Sequence, residues 1–575
     1  MSEQFDLIVR GGQVADGLGN PLKEADVAVR DGRIVAVGQV AGKGAVEIDA
    51  RDRLVTPGFV DIHTHYDGQA SWDTRMQPSS AHGVTTAVMG NCGVGFAPVR
   101  PHDRDCLIEL MEGIEDIPGA ALHEGIPWQW ESFPQYLDFL ERAPRDIDIA
   151  AQVPHGALRV FVMGQRAVDL EPANTRDILQ MRALTADAIR AGAVGFSTSR
   201  SLNHRSVKGD PTPSLKATED ELTGIAMGLS DAGTGVLQVI SDFARSQGDE
   251  LGMILRIARA SGRPLSISLA QSHRAPDGWR DMLARIREAS ESGLKISAQV
   301  PPRPVGVLFG LQTSRSPLHG SPTLQALREK PLAEMVAAMR DPSVRARILL
   351  EAEQQPHLRA DMRPYDFSVV YPLGRTPNYE PSPDDSVAAI AAREGRSPLE
   401  VCYDLMMGDD GRDLLLAPFA NYARGSLDHC PEMLTHPNAL LGLGDGGAHV
   451  AAICDASFTT SLLAHWGRDR AHGRLELPLL VNLLTARNAQ AVGMGDRGVI
   501  APGYKADLNV IDMSRLQVER PRLSFDLPAG GRRFLQDAQG YEATIVSGQL
   551  VYRNGEPTGN LPGRLVRGKA AATVH

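Results

Sequence analysis

The chain contains the stretch Pro57-Gly-Phe-Val-Asp61-Ile-His63-Thr-His65, an apolar run that ends in two histidines separated by one residue. The run predicts a buried β-strand over residues 59–65. Because residues i and i+2 of a strand point to the same side, His63 and His65 would present two imidazoles to one point. Two neutral imidazoles there make half of a metal site. The alternative is a pair of hydrogen-bonded structural histidines.

Seven further β-rich runs follow, at residues 85–93, 147–153, 193–199, 235–242, 264–272, 293–301 and 440–447. Most are separated by stretches with helical spacing, such as 176–191, 219–232, 248–260 and 277–292. Alternating buried strands and helices are typical of parallel βα units, and eight such units predict a TIM-like (β/α)8 barrel. Active sites of this fold collect at the carboxyl ends of the strands, which favours the metal interpretation of His63 and His65.

The two ends of the chain have a different pattern. Residues 5–14 and 26–38 alternate apolar and polar side chains around Asp31-Gly32, which predicts a tight hairpin, and residues 506–512 and 543–553 are again β-rich. We expect residues 1–55 and 490–560 to form a small β-sandwich beside a barrel over residues 56–489. The insertion between the seventh and eighth strands, about 303–438, is too long for a plain connection and predicts an ordered lid over the barrel mouth.

Composition excludes several classes of partner. Lys and Arg number 59 against 70 Asp and Glu, a formal net charge of −11, and no basic block offers a surface for nucleic acid or an anionic membrane. No apolar run approaches the roughly 18 residues of a spanning helix. The five scattered cysteines do not form a disulfide framework, which predicts a cytoplasmic protein. The expected partner is a small molecule, and a homo-oligomer is an open alternative.

Two more candidate ligands follow the second and eighth strands. Cys92 lies in Met89-Gly-Asn-Cys92-Gly-Val-Gly95, whose glycine spacing fits no nucleotide-binding loop, and a thiolate there would be a strong zinc ligand. Its alternative role is that of a small buried apolar residue. Asp445 lies in Gly442-Leu-Gly-Asp445-Gly-Gly-Ala-His449 and would add a carboxylate on the same face. An Asp-Gly pair is otherwise typical of a turn.

Together these motifs resemble the amidohydrolase superfamily, and within it the D-aminoacylase (N-acyl-D-amino-acid deacylase) branch. The resemblance runs nearly end to end, through TPGFVDIHTHYDG, GVTTAVMGNCG, GALRVFVMG, GAVGFSTS, GDGGAH and GVIAPGYKADLNVID. It implies a metal-dependent barrel with a β-sandwich that hydrolyses a carbon–nitrogen amide bond other than a peptide bond. By the same resemblance His63 and His65 are metal ligands, Cys92 is a ligand that can bridge two metals, and Asp445 is the catalytic aspartate.

Physical chemistry supports those roles. A divalent metal held by imidazole and thiolate lowers the pKa of bound water to about 7. Asp445 could then take a proton from that water and pass it to the departing amine. Zinc is expected, because thiolate and imidazole together select against magnesium and calcium.

The sequence departs from the branch at two metal positions. Ile240 and Leu269 occupy the places of metal-binding histidines at the ends of the fifth and sixth strands. We therefore expect one zinc ion per chain, and a second metal stays open. Strand parity offers Asp242 or His273, one step further out, as a substitute ligand. Both could equally be solvated loop residues.

The branch also has a lysine and a tyrosine that help bind the amino-acid carboxylate, and neither is present here. The corresponding regions contain Gln271, a candidate contact, and Val300-Pro-Pro-Arg303-Pro. Arg200, Arg205 and Arg303 could bind the carboxylate instead, or lie solvated at the surface. We expect His449 to support its loop.

Three functions therefore remain. The favoured one is a metal-dependent deacylase of an N-acyl (D-)amino acid or a related amide. The second is a hydrolase of a lactone, cyclic amide or carbamate that uses the same activated water. The third is an inactive amidohydrolase-like binding protein.

Overall fold

The computed structural model describes residues 3–243, 248–354 and 365–568. Eight parallel strands in this part of the chain form a barrel and pair in chain order. They are Phe59–Asp61, Val84–Met89, Asp148–Pro154, Gly195–Arg200, Val236–Ser241, Leu265–Ser268, Ile296–Val300 and Ala439–Leu441. A bridge between Thr64 and Gly446 joins the eighth strand to the first. The predicted TIM-like barrel is confirmed.

Helices cover the outside of the barrel. They are Arg104–Glu115, Gly119–Gly125, Phe133–Arg142, His155–Met163, Gln165–Val168, Thr175–Arg190, Glu219–Ala232, Glu250–Ser261, Gly278–Glu291, Phe458–Ser461, Leu462–Asp469 (a π-helix), Leu477–Leu484 and Ala486–Ala491. Helix Thr175–Arg190 begins at a capping box, in which the Asn174 side chain accepts a hydrogen bond from the backbone N–H of Asp177. The helix buries Met181 and Ile189 against the side of the barrel. None of the helices in the described ranges combines the length and apolarity that crossing a bilayer requires.

The two ends of the chain meet in one sheet. Its nine strands are Glu3–Val14, Lys23–Arg30, Arg33–Gly38, Gly42–Asp49, Leu54–Pro57, Leu508–Ile511, Tyr541–Val546, Gln549–Arg553 and Glu556–Pro557. Leu54–Pro57 pairs antiparallel with Leu508–Ile511, which joins the two ends of the chain. Eight of the strands follow one hydrogen-bonded path, and Gly42–Asp49 lies off this path and pairs with Glu3–Val14. The predicted hairpin turn is confirmed, with φ of 51° at Asp31 and 71° at Gly32.

The insertion has a core of its own. A small antiparallel sheet of Val305–Phe309, Tyr371–Pro372 and Leu415–Ala420 is accompanied by helices Pro322–Arg328, Leu332–Met339, Pro342–Gln354, Val387–Glu394, Pro398–Met406, Gly408–Gly411 and Cys430–Leu434. The buried side chains of Leu324, Met335, Ile348 and Tyr403 belong to this core.

Contacts fix where the insertion meets the barrel. The Asn421 N–H donates to the Gln271 carbonyl, just after the sixth strand, and the Leu308 N–H donates to the Ala452 carbonyl, beyond the eighth. The insertion therefore contacts loops at the end of the barrel where His63 and His65 lie.

A second hairpin lies beside these loops. It consists of Arg522–Leu527 and Gly531–Leu535. The Phe534 N–H donates to the Val450 carbonyl. The hairpin is thereby attached to the segment that follows the eighth barrel strand.

Candidate metal centre

Three potential metal ligands converge in the barrel mouth. One donor atom from each of His63, His65 and Cys92 lies within 4.8 Å of the others, and all three residues are buried. Among the described residues this is the one group of three or more such side chains that could hold an ion. Two imidazoles and a thiolate fit a tetrahedral zinc site, with a fourth position left for another ligand.

Backbone geometry brings these side chains together. The chain stays extended after the first strand, because Thr64 bridges Gly446 and its N–H donates to the Val88 carbonyl. His63 and His65 on either side of Thr64 thus keep the same orientation. Cys92 follows the second strand in a tight turn with φ of 54°, which places its Sγ 3.3 Å from His63 Nε2.

Asp445 stands beside this group. Its Oδ1 lies 3.3 Å from His63 Nε2 and 3.8 Å from His65 Nε2. The side chain is 19% exposed, against 1% and 2% for the two histidines. Asp445 is therefore on the open side of the cluster, where a water molecule or a substrate would arrive.

A polar layer holds the ligands from behind. His63 Nδ1 lies 2.5 Å from Gln299 Oε1, and the Cys92 N–H donates to Gln238 Oε1 at 3.0 Å. An amide oxygen only accepts, so His63 carries a proton on Nδ1 and turns Nε2 toward Cys92 and Asp445. This orientation suits metal binding through Nε2.

Glu115 supports the second histidine. Its Oε1 lies 3.1 Å from His65 Nδ1, its Oε2 lies 3.8 Å from His449 Nε2, and the side chain is 1% exposed. His449 therefore lies beside Glu115, and it is not part of the ligand group found among the described residues. Sequence reasoning missed Glu115, because it ends helix Arg104–Glu115 and no motif marks it. Sequence reasoning also missed Gln299, although a glutamine within an otherwise apolar barrel strand indicates a polar contact inside the barrel.

The charges of the cluster stabilise one another. Burial opposes ionisation of Cys92, but the adjacent His63 and His65 outweigh it and hold the pKa of the thiol below its usual value. Burial likewise opposes ionisation of Asp445, yet the same imidazoles hold the pKa of this carboxyl well below its usual range. A site that stabilises a thiolate and a carboxylate suits a cation, which would displace the imidazole protons.

The structure does not bring the two substitute ligands to the cluster. The Asp242 carboxylate accepts from Ser201 Oγ at 3.0 Å and from the Leu202 N–H at 2.9 Å, so it orders the loop after the fourth strand. His273 lies in the loop beyond the sixth strand, and its buried Nε2 has no hydrogen-bond partner among the described residues. Neither residue belongs to the ligand group of His63, His65 and Cys92.

Gln271 ties the barrel to the insertion rather than pointing at the metal group. Its Oε1 accepts from the Ala423 N–H at 2.8 Å, and its Nε2 donates to the Pro276 carbonyl at 3.3 Å. Ile240 and Leu269, at the positions of the missing histidines, pack into the hydrophobic core. The fifth and sixth strands therefore bring no metal ligand from these positions.

The three candidate arginines are engaged within the chain. Arg200 pairs with Glu250, and buried Arg303 pairs with Asp455 at 2.8 Å while stacking on Tyr379. Arg205 donates to the backbone carbonyls of Leu202 and Gly209. Two of the three charges are thus already neutralised, which argues against Arg200 and Arg303 as carboxylate anchors.

Comparisons with known proteins agree on one family. Residues 46–552 match the family model described as Amidohydrolase family. The chain is 26% identical to D-aminoacylase of Alcaligenes xylosoxydans xylosoxydans over 99% of both chains. It is 28% identical to N-acyl-D-glutamate deacylase of the same organism, over 99% of this chain and 98% of the relative. N-acyl-D-aspartate deacylase, also from that organism, is 27% identical over 98% and 95%.

Solved structures share the fold. A structure of D-aminoacylase matches with a TM-score of 0.64 and 25% identity, over 98% of this chain and 100% of that one. That enzyme is described as having a binuclear metal centre, with one-metal activation and second-metal attenuation. N-acyl-D-glutamate deacylase from Bordetella bronchiseptica, complexed with zinc and a phosphonate inhibitor, matches with a TM-score of 0.65 and 23% identity over the same shares.

Proposed function

The chain belongs to the amidohydrolase family, and on this premise we propose that it removes the acyl group from N-acyl D-amino acids with one bound zinc ion. It is a metal-dependent hydrolase of carbon–nitrogen bonds other than peptide bonds. The observation that carries the proposal is the convergence of His63, His65, Cys92 and Asp445 at the barrel mouth. Three curated relatives that are named for this type of substrate and span the whole chain support it.

Zinc is supported by the donor set. A thiolate with two imidazoles favours zinc over magnesium or calcium, which prefer oxygen ligands. A count of one ion per chain is supported by the single ligand group of the described residues and by the apolar Ile240 and Leu269. When bound, such an ion lowers the pKa of water to about 7 and polarises a carbonyl oxygen.

We assign the proton transfers to Asp445. It is the most exposed of the four residues, so its carboxylate meets the attacking water. Asp445 takes a proton from water as the water oxygen bonds to the amide carbonyl carbon. It returns that proton to the nitrogen as the carbon–nitrogen bond breaks, which yields a carboxylate and a free amine. Gln299 keeps the His63 imidazole oriented through its hydrogen bond, and the charge of Glu115 acts on the His65 imidazole.

A reducing, cytoplasmic location is part of the proposal. All five cysteines are free, and four of them are buried. Free buried thiols are common where disulfides do not form.

Substrate profiling with metal-loaded enzyme tests the proposal. Paired N-acetyl D- and L-amino acids, a lactone, a cyclic amide and a carbamate form the panel, and elemental analysis gives the metal content. We expect hydrolysis of the D-amides with one zinc per chain, and loss of both metal and turnover in His65→Ala. Preferred hydrolysis of the lactone, the cyclic amide or the carbamate would replace the deacylase by the second function. Zinc-loaded protein inactive on the entire panel would contradict both.

A further inference from the structure

A cavity outside the metal centre carries an unbalanced positive charge. It has a volume of about 350 Å³ and lies between the insertion and the hairpin of Arg522–Leu527 and Gly531–Leu535. Arg328 of the insertion and Arg532 of the hairpin both line it, with His319 beside them. A volume of this size is within the range of small-molecule sites.

His319 contacts Arg328, and the charges of two further arginines act on it. Burial first, and then the charges of Arg328, Arg532 and Arg315, lower the pKa of His319 to about 3. Arg328 feels the same crowding, since burial and the charge of Arg532 lower its pKa to about 10. Arg328 and Arg532 line the same cavity, so their positive charges repel each other.

No carboxylate of the described residues forms a hydrogen bond or an ion pair with either arginine. Arg328 donates to the backbone carbonyls of Leu311 and Thr313 and contacts His319, all uncharged partners. Within the same ranges the Arg532 side chain makes neither a hydrogen bond nor an ion pair. Glu329, the one carboxylate in the lining, is exposed beside Lys330, and its charge acts on Arg328. Arg532 also lines a neighbouring cavity with Glu112 and Asp116, where Asp116 accepts a hydrogen bond from Ser314.

Apolar side chains line the same space. Leu311 and Met335 are buried against it, and Phe525, 55% exposed, stands at its edge. A bare inorganic ion would gain nothing from these groups. An organic acid with an apolar part would gain from both the arginines and the hydrophobic wall.

We propose that Arg328 and Arg532 form a binding site for the carboxylate group of a small organic acid. Guanidinium groups bind carboxylates through paired hydrogen bonds, and an anion between two of them removes their mutual repulsion. The proposal goes beyond the deacylase function and does not depend on it.

The cavity borders residues that lead to the metal centre. Ser314 lines it and donates to Asp116, and the Ser314 N–H donates to the Ala451 carbonyl. Asp116 follows Glu115, the residue beside His65, and Ala451 lies two residues after His449. The carboxylate has two sources: a substrate that also reaches the metal centre, or a separate organic acid.

Calorimetric titration of the zinc-loaded full chain with hexanoate tests the site. Hexanamide serves as the neutral ligand control. Arg532→Gln is the primary variant, because Arg532 makes no hydrogen bond whose loss would disturb folding. Arg328→Gln is the second variant. Arg553→Gln is the control, because it removes the same charge from the exposed end of strand Gln549–Arg553, in the nine-stranded sheet formed by the two ends of the chain.

We expect wild type and Arg553→Gln to bind hexanoate but not hexanamide, and Arg532→Gln and Arg328→Gln to bind hexanoate at least about ten-fold more weakly. Hexanoate that binds only at the metal centre would bind all variants alike, and that result, or no binding at all, would overturn the proposal. Steady-state kinetics then identifies the source. A raised KM for carboxylate substrates in Arg532→Gln assigns the site to the substrate, and an unchanged KM assigns it to a separate acid.

Discussion

Two site residues occupy a backbone conformation that L-residues rarely adopt. Cys92 has φ of 54° and Asp445 has φ of 48°. Each costs roughly 1 kcal/mol or more relative to an extended conformation. In this conformation the Cys92 Sγ and the Asp445 carboxylate each lie 3.3 Å from His63 Nε2. Strain of this kind at the ends of two barrel strands is typical of a functional site.

Asp445→Asn should separate catalysis from folding. The amide keeps the shape of the side chain but cannot take a proton from water, so we expect kcat to fall by about two to four orders of magnitude. The thermal midpoint should shift little, because the side chain is partly exposed and asparagine has nearly the same shape. Stopped assays over a pH series measure the rate. An unchanged rate at every pH would remove Asp445 from the reaction.

Glu115→Gln should weaken metal binding. The carboxylate lies 3.1 Å from His65 Nδ1, and loss of such an outer carboxylate typically lowers metal affinity about 10–100-fold. Competition with a chelator measures the affinity directly, without turnover. Glu112→Gln, on the same helix, is the matched control and should bind metal as wild type does. Equal affinities in the two variants would mean that Glu115 has no role in orienting His65.

At the scale of elements, the alternation of side chains along a strand predicted their direction only where the hydrogen-bonded pairing of that strand continues. His63 and His65 were predicted to share a face, and the Thr64 bridge keeps the chain extended between them. The same reasoning applied to Asp242 and His273 lost its basis, because those strands end at Ser241 and Ser268. Beyond its last ladder bond a chain can turn, and a side chain two residues on no longer has a defined face.

Barrel strands were predictable for a related reason. A parallel strand covered on both sides must be apolar throughout, and runs such as that of Val84–Met89 are fully buried. The insertion had no such signal. Its sheet pairs Val305–Phe309 with Leu415–Ala420, which lie far apart in the chain, and no local periodicity encodes that pairing.

Asn421→Ala should loosen the joint between insertion and barrel. Asn421 is buried with φ of 60°, and its side-chain amide donates to the carbonyls of Pro301 and Arg303 and contacts His429. Loss of these bonds leaves buried acceptors unpaired and places alanine in a left-handed conformation. We expect a loss of about 2–4 kcal/mol in the free energy of unfolding.

Urea unfolding measures this change, and zinc content should stay at the wild-type value. Asn378→Ala, an exposed asparagine of the same insertion, is the control and should cost much less. If both variants unfold at the wild-type urea concentration, Asn421 does not hold the joint.

At the scale of the whole molecule, buried polar groups connect the barrel to the nine-stranded sheet formed by the two ends of the chain. Arg497 pairs with Asp148 of the third barrel strand at 2.6 Å, and Lys505 pairs with both Asp148 and Asp507. Arg497 and Lys505 lie between the last helix and the terminal strand Leu508–Ile511. The two parts are therefore joined by neutralised charges as well as by strand pairing.

His82 makes a second connection and is fully buried. Its Nδ1 lies 2.8 Å from Thr460 Oγ1, beyond the eighth strand, and its Nε2 donates to the Gln536 carbonyl at 2.8 Å. Burial lowers the pKa of His82 to about 4, from 6.5 in an unfolded chain. Between these values the unfolded chain binds more protons than the folded one. Stability is therefore complete above about pH 6.5 and is lost as the pH falls toward 4.

From about pH 7.5 to about pH 4.5, His82 alone should remove about 2.5 kcal/mol from the free energy of unfolding. His82→Gln lacks this titration, so its free energy of unfolding should fall by about 2.5 kcal/mol less than that of wild type over the same interval. Other groups titrate equally in both proteins and cancel in the difference. Urea unfolding at the two pH values measures it, with His102→Gln, an exposed histidine, as the control. Parallel pH dependence in wild type and His82→Gln would show that His82 is not buried in its neutral form.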